Sequence, residues 1–205
     1  MDCYAIAPNG IYWSIQGEGH LRGQQMAFLR LSGCSIKCPG CDTNYTLDRL
    51  LSPQEIVEEL NSIVPAACRD RWIWVTGGEP MDRDLRPLMK ELKNSSGNYS
   101  IAIATSGAYR AIEPVDWLSV SPHGGELKQR CGSEIKLVHG LNGMDLDQWL
   151  DANPADGLDF FFKYVQPISI AGKEDPASLA ICLDFLRRHP DWSLSRQDHL
   201  KWGME

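Results

Sequence analysis

Three cysteines fall within eight residues of this chain, in the stretch "SGCSIKCPGCDT", as Cys34-x3-Cys38-x2-Cys41. Thiolates at that spacing can reach one metal centre from a single loop, and thiolate is a ligand for zinc and for iron–sulfur clusters. What three ligands leave open decides the chemistry. A structural zinc site is closed by four ligands, usually two Cys-x2-Cys or Cys/His pairs. No second pair occurs here: Cys68 and Cys131 stand alone, and there is no His-x3-His. A four-cysteine electron-transfer cluster lacks its nearby fourth ligand for the same reason. A [4Fe–4S] cluster held at three corners keeps one iron open to a non-protein ligand, and an open position marks a catalytic rather than a structural metal site. The cysteines alone leave zinc and cluster both standing.

A second stretch, "VTGGEP" at positions 75–80, also has the makings of a site. Gly77 and Gly78 carry no Cβ, so their backbone can approach a ligand closely and present its carbonyls. The Glu79 carboxylate is a further acceptor. Such a set suits an ammonium group. The same residues would also serve as a Gly-Gly turn into a helix that starts at Pro80.

Both stretches must be placed by the elements around them. Short apolar runs rich in β-branched or aromatic residues at 26–31, 72–76, 100–105, 117–121, 134–138 and 160–166 predict six strands. The cysteines follow the first strand and the glycine pair follows the second. Between the strands lie helical patterns. Ser52, Pro53 and Glu55 form a capping-box signature for a helix through 63. Leu85, Leu88 and Leu92 share one face of a helix over 82–93. Residues 175–189 open on an Asp cap and end in basic residues that suit a helix C-terminus. Strands alternating with helices imply a mostly parallel six-stranded α/β sheet. The 205 residues fall short of a closed eightfold barrel, which runs to about 250, and 105–117 is too short for a crossover helix. The expected architecture is one domain over 1–205, an open partial βα barrel with its site at the carboxyl ends of the strands.

The remaining composition excludes more than it assigns. A formal charge of -7 argues against non-specific binding to nucleic acid or to an anionic membrane. No apolar run reaches the roughly 18 residues of a membrane helix. The first ten residues lack the basic and apolar regions of a signal peptide, so the cytoplasm is expected. Seven cysteines, an odd number, then read as thiols or metal ligands, since that compartment keeps thiols reduced.

Taken together, the cysteine triplet and the Gly-Gly-Glu-Pro segment one strand later resemble the radical S-adenosylmethionine (SAM) superfamily. There SAM occupies the open iron through its amino and carboxylate groups. Further stretches narrow the likeness: "YWSIQGEG" at 12–19, "FLRLSGC" with Arg30, "CDT" at 41–43, "YVQPIS" at 164–169 and "WSLSRQDHLKWGME" at 192–205. They resemble the 7-carboxy-7-deazaguanine synthase family over essentially the whole chain, from Ile15 onward.

The resemblance implies a radical SAM lyase that contracts 6-carboxy-5,6,7,8-tetrahydropterin to 7-carboxy-7-deazaguanine with loss of ammonia, in queuosine and deazapurine biosynthesis. It implies that Cys34, Cys38 and Cys41 hold the [4Fe–4S] cluster and that Thr43 ligates Mg2+. SAM would be bound by Gly40, Cys41, Asp42, Gly77, Gly78, Glu79, Ser106, Ser121, Pro122, His123, Gln166, Pro167, Ile168 and Ser169. The pterin would be bound by Ile15, Gln16, Gly17, Glu18, Arg30, Thr76, His199 and Glu205, with Arg30 on its carboxylate, where a guanidinium fits bidentately. No side chain is assigned as catalytic, since the cluster and SAM carry the chemistry. A homodimer and a flavodoxin or ferredoxin electron donor are implied as well.

Blander readings exist for single residues: Arg30 as the polar side of a strand, Thr43 as a turn cap, His199 as a surface residue. His20, His139 and His189 are expected as surface or cap residues. The chain departs from the family pattern at Ala104, where an acidic residue often precedes "TSG", and at His123, where a lysine is usual. It also departs at Asp198 and Leu200, which stand where a threonine and a lysine are common. A glycyl-radical activase shares the cysteine spacing and the Gly-Gly-Glu-Pro segment but leaves "SIQGEG" without a role. A zinc-stabilised binding module is the alternative of another class.

Overall fold

The strands form where the apolar runs predict them, and most are longer than the runs. β-branched and aromatic side chains suit a pleated, buried surface. Strands covered on both faces read as near-continuous apolar stretches. In the computed structural model, which describes residues 3–39, 41, 44–112 and 115–204, the strands are β1 (Tyr4–Ile15), β2 (Gln25–Leu31), β3 (Arg49–Leu51), β4 (Trp72–Gly77), β5 (Ser100–Thr105), β6 (Trp117–Val120), β7 (Cys131–His139), β8 (Asp159–Pro167), β9 (Ser169–Ile170), β10 (Lys173–Glu174) and β11 (Ser193–Leu194). The helices are α1 (Pro53–Ile63), α2 (Arg86–Asn94), α3 (Leu146–Ala152), α4 (Pro176–Arg188) and α5 (Asp198–Trp202).

The chain divides into two compact units. The first comprises Met1–Ser14, Gln25–Thr105 and Arg110–Leu118. Its strands run in the order β3-β1-β2-β4-β5. β2, β4 and β5 are parallel neighbours, and β3 joins β1 antiparallel. α1 and α2 pack together through Ile56, Val57, Leu60, Leu88, Met89 and Leu92, all buried. Ile6, Met26, Leu29, Leu31, Ile73 and Ile101 are fully enclosed and complete the core.

The second unit comprises Ile15–Gln24, Ser106–Tyr109 and Ser119–Glu205. Its strand order is β6-β7-β8-β11, with every pair parallel. Ile135, Leu137, Val165, Cys182 and Phe185 have no exposed surface. Burial pushes the Cys182 thiol up to about 12, so it acts as a small apolar filler.

All six predicted strands are present, and the predicted core of the sheet is parallel. β1, β3, β9, β10 and β11 lie outside the prediction: β1 carries Asn9-Gly10 in its middle, β3 is only three residues long, and β9, β10 and β11 are two each. Among the described residues no helix stands between β5 and β6, as expected from the short connection. The second predicted helix begins later than its pattern suggests. Pro80–Asp82 form a 3-10 turn capped by Glu79, and α2 starts only at Arg86. Short α3 and α5 were not anticipated. The helix over 175–189 is found as α4, capped by Asp175 and closed by His189.

At the start of α1 the capping box is complete. Ser52 Oγ accepts from the Glu55 amide at 3.3 Å, and Glu55 Oε2 accepts from the Ser52 amide at 2.8 Å. Replacing Ser52 by Ala should lower the unfolding free energy by about 1 kcal/mol. The check is a reduced urea midpoint with an unchanged slope.

Candidate active site

In the first unit, the cysteine loop leaves β2 and returns to a closed base. The Ser32 amide donates to Ala5 O at 2.8 Å, and the Gly33 amide and Ser32 hydroxyl both donate to Tyr45 O, at 2.9 and 3.0 Å. Between these ends the Cys41 amide donates to Cys38 O at 3.3 Å, a turn that folds the second and third thiols together in sequence. Cys34 and Cys38 are half-buried, Cys41 is exposed, and no disulfide joins them. Among the described residues no three His, Cys, Asp or Glu side chains are gathered into a ready metal site. The donor set fits a three-cornered [4Fe–4S] cluster: three soft thiols on one loop that is open to solvent. Gly40, Asp42 and Thr43, predicted for SAM and Mg2+, lie outside the described residues, as does Glu205.

The Gly77–Glu79 segment leaves β4 directly beside that loop. Gly77 has φ +102°, and a Cβ on Gly78 would stand 1.6 Å from the Gly33 carbonyl oxygen. Only glycine permits this approach. The Gly78 amide donates to Leu31 O at 2.8 Å. Glu79, 3% exposed, accepts through Oε1 from Thr105 Oγ1 at 2.6 Å and from the Met81 amide at 3.0 Å. That oxygen is structural; it fixes the turn that follows the glycines. Arg30 and Thr76 are register partners on β2 and β4, so the two predicted substrate residues are lateral neighbours. The Arg30 guanidinium lies 4.8 Å from the centre of the Tyr12 ring, which stacks in turn on Phe28 at 5.0 Å. A planar cation seated on an aromatic face keeps its edge for a carboxylate.

In the second unit, the residues predicted to bind the pterin form a pinned turn. Gln16 and Gln24 close it: the Gln16 amide donates to Gln24 O at 2.9 Å and the Gly23 amide to Gln16 O at 2.7 Å. Gln16, 5% exposed, accepts through Oε1 from the Glu18 amide at 3.1 Å. Gly17 lies against His199, where a Cβ would be 2.3 Å from Nδ1, and its carbonyl accepts from the Asp198 amide at 3.1 Å. The Gly19 amide donates to Ser195 Oγ at 3.0 Å, and Ser195 Oγ donates to Gln166 Oε1 at 2.7 Å. The buried Glu134 carboxylate accepts from the His20 amide at 2.8 Å and from Ser119 Oγ at 2.7 Å. Lys136, two residues along β7, forms an ion pair with Glu18. Their side chains are 12% and 19% exposed. Burial pushes the Lys136 ammonium down to about 8, even with a carboxylate beside it.

The predicted SAM residues of this unit follow the ends of its strands. Ser121, Pro122 and His123 follow β6; Ser121 Oγ donates to Lys136 O at 3.1 Å, and the His123 carbonyl accepts from Asn142 at 2.6 Å. Gln166 and Pro167 end β8, where the Ile168 amide donates to Ser178 Oγ at 3.1 Å and Ser169 opens β9. Ser106, buried, follows β5 and accepts from the Ala108 amide at 3.3 Å. Every described site residue that follows a parallel strand stands at its carboxyl end, as the fold predicts.

Sequence reasoning did not single out Lys136, Glu134, Ser195, Thr105, Asp82 or Arg83. The one available signal was in "SEIKLV": two charged residues on alternate positions of an otherwise apolar strand predict a buried ion pair or polar clamp. His20 is exposed, as expected of a surface residue, and there it stacks on Phe162 at 3.7 Å and lies 3.2 Å from Tyr164 OH. His189 caps α4 as expected.

Residues 29–152 match the family model described as the radical SAM superfamily. The chain therefore belongs to the radical SAM superfamily, the class that its cysteine triplet and Gly-Gly-Glu-Pro segment resemble. It is 33% identical over 192 residues to 7-carboxy-7-deazaguanine synthase of Bacteroides thetaiotaomicron, spanning 93% of this chain and 94% of that protein. The synthase of the same name from Synechocystis sp. is 32% identical over 205 residues, 98% and 93% of the two chains. The crystal structure of QueE from Escherichia coli superposes with a TM-score of 0.72 at 25% identity, covering 95% of this chain and 94% of that one. Within the superfamily the chain is a member of the 7-carboxy-7-deazaguanine synthase family, with the open, mostly parallel α/β fold that membership entails.

Gly78→Ala should drive the Gly33 carbonyl away and displace the cysteine loop. Iron retained after anaerobic reconstitution should fall well below wild type while the far-ultraviolet circular dichroism is preserved.

Proposed function

We propose that this chain converts 6-carboxy-5,6,7,8-tetrahydropterin to 7-carboxy-7-deazaguanine and ammonia, as a step of queuosine and deazapurine biosynthesis in the cytoplasm. The observation that carries this reading is the pinned Gln16–His20 turn, built from buried polar groups in a chain that matches its relatives almost end to end. End-to-end likeness also sets aside the glycyl-radical activase and the zinc module, neither of which uses that turn. Cys34, Cys38 and Cys41 would hold the cluster, which would supply the single electron for reductive cleavage of SAM.

The chain's own groups bind and orient. Gln16 and Glu18 present acceptors to the donor-rich edge of the pterin, and Lys136 holds the Glu18 carboxylate in place through their ion pair. Arg30, held over Tyr12, takes the substrate carboxylate, and its register partner Thr76 adds a hydroxyl. His199, against Gly17, closes the turn from the C-terminal side. Gly77, Gly78 and Glu79 receive the SAM amino group. Ser106, Ser121, Pro122, His123 and the residues from Gln166 to Ser169 take the rest of SAM. Thr43 contributes a Mg2+ ligand, a role suited to a hard oxygen donor on an ion that keeps several waters. A flavodoxin or ferredoxin delivers the electron. The active form is a homodimer, for which Phe161, 86% exposed on β8, is an apolar group a second copy would cover. Among the described residues no helix is long and apolar enough to cross a membrane.

The decisive experiment is turnover by anaerobically reconstituted protein with dithionite, SAM and the carboxy-tetrahydropterin, read by mass detection of the deazapurine. Product that depends on added Mg2+ is expected. No product from iron-loaded protein would refute the assignment, and turnover indifferent to exhaustive chelation would remove the Mg2+ role.

The Lys136–Glu18 pair gives a pH signature. Deprotonation near pH 8 removes the ammonium and leaves Glu18 uncompensated, so KM for the pterin should rise above that pH while the KM for SAM stays flat. Lys136→Met should raise the pterin KM about tenfold already at pH 7, equivalent to about 1.4 kcal/mol. Lys136→Arg should move the alkaline rise to higher pH, because a guanidinium stays charged.

A further inference from the structure

We propose that Asp82 and Arg83 are positioning residues for Cys34, gripping its two neighbours and placing a cation beside the first cluster ligand. The inference rests on the cluster reading of the cysteine loop. Asp82 accepts twice from one residue: from the Ser35 amide through Oδ2 at 2.6 Å and from Ser35 Oγ through Oδ1 at 2.5 Å. Arg83 donates through Nη2 to the Gly33 carbonyl at 3.2 Å. Two consecutive residues thus hold the peptide on both sides of Cys34. They belong to the segment that begins with Gly77 and Gly78, since the Asp82 amide donates to Glu79 O at 3.2 Å.

The grip explains why Cys34 differs from the other two thiols. Cys38 and Cys41 share a local turn on the far part of the loop, whereas the flanks of Cys34 are tied to the Gly-Gly-Glu-Pro strand end. In such an arrangement Cys34 is the ligand whose neighbours on both sides are fixed to that strand end. The same grip links the metal ligand to the segment expected to hold the SAM amino group, so that cluster and SAM keep a common frame.

Arg83 does more than tie a carbonyl. Its Nε is buried and has no hydrogen-bond partner among the described residues. An unsatisfied buried N–H is costly, and one retained in a fold calls for a functional explanation. Burial pulls the Arg83 guanidinium below its ordinary range, while Asp82, Cys34 and Glu79 draw it back. A [4Fe–4S] cluster with three thiolates carries net charge -1 when oxidised and -2 when reduced. A neighbouring cation favours the reduced form more, and net charge is one of the protein's levers on cluster potential. Arg83 therefore raises the potential at which the cluster accepts its electron.

The test uses the full chain, reconstituted anaerobically as wild type, Asp82→Ala, Arg83→Gln, Arg83→Lys and Asp84→Ala. Asp84 is the control: its carboxylate pairs with Arg86 on the surface and has no hydrogen bond to the loop. Three quantities are read: iron and sulfide content, the rate of iron release to a chelator, and the midpoint potential by electron paramagnetic resonance titration. Asp82→Ala should release iron several-fold faster than wild type and Asp84→Ala. Arg83→Gln should shift the midpoint to more negative potential, and Arg83→Lys should restore it, which a purely structural role would not require. If Asp82→Ala does not fold, Ser35→Ala removes half of the same grip and should show the same change in smaller degree. Wild-type-like release and potential in Asp82→Ala and Arg83→Gln would overturn this inference alone. A wild type that takes up no iron would instead overturn the cluster reading and this inference with it.

Discussion

The closest constraint in the first unit is steric. The backbone after β4 passes so near the backbone after β2 that no side chain fits between Gly78 and the Gly33 carbonyl. Two strand ends are thereby locked together, one carrying the cysteine loop and the other the Gly-Gly-Glu-Pro segment. The surrounding polar contacts all reinforce that lock. Glu79 fixes the turn after the glycines through Thr105, and Asp82 and Arg83 reach back to Ser35 and Gly33. Tying the neighbours of one metal ligand to a strand end lowers the conformational entropy lost when the ligands gather on a metal.

The second unit solves a different problem with similar means. A short loop rich in polar groups has to be held still. It is held by charge and hydrogen bonds drawn from three separate stretches of chain: Glu134 and Lys136 on β7, Ser195 after β11, and Asp198 and His199 at α5. Buried polar groups of this kind are costly unless fully satisfied, and a satisfied network specifies a single arrangement. The Lys136–Glu18 pair is its most exacting member. Burial disfavours the ammonium while the neighbouring carboxylate needs it.

Much of the fold was readable because its signals are local. The six parallel strands were apolar runs of strand length, and the Ser52 and Asp175 caps announced their helices. β1 was not readable because Asn9 and Gly10 break its pattern, and β3 and β11 are too short to have one. The late start of α2 has a specific cause: Glu79 caps a 3-10 turn over Pro80–Asp82, which uses up residues that leucine spacing alone would assign to the helix.

The chain's own order of residues determined which groups can do chemistry: three thiols on one loop, a glycine pair with a carboxylate behind it, and a polar turn ahead of them. Spacing and residue type along a few neighbouring positions are enough for that. Only the tertiary structure decided what holds those groups. Lys136 is 118 positions from Glu18, Ser195 is 176 from Gly19, and Asp82 is 47 from Ser35. Burial and ion pairing depend on distance in space, and no periodicity along the chain encodes which distant residues folding will bring together.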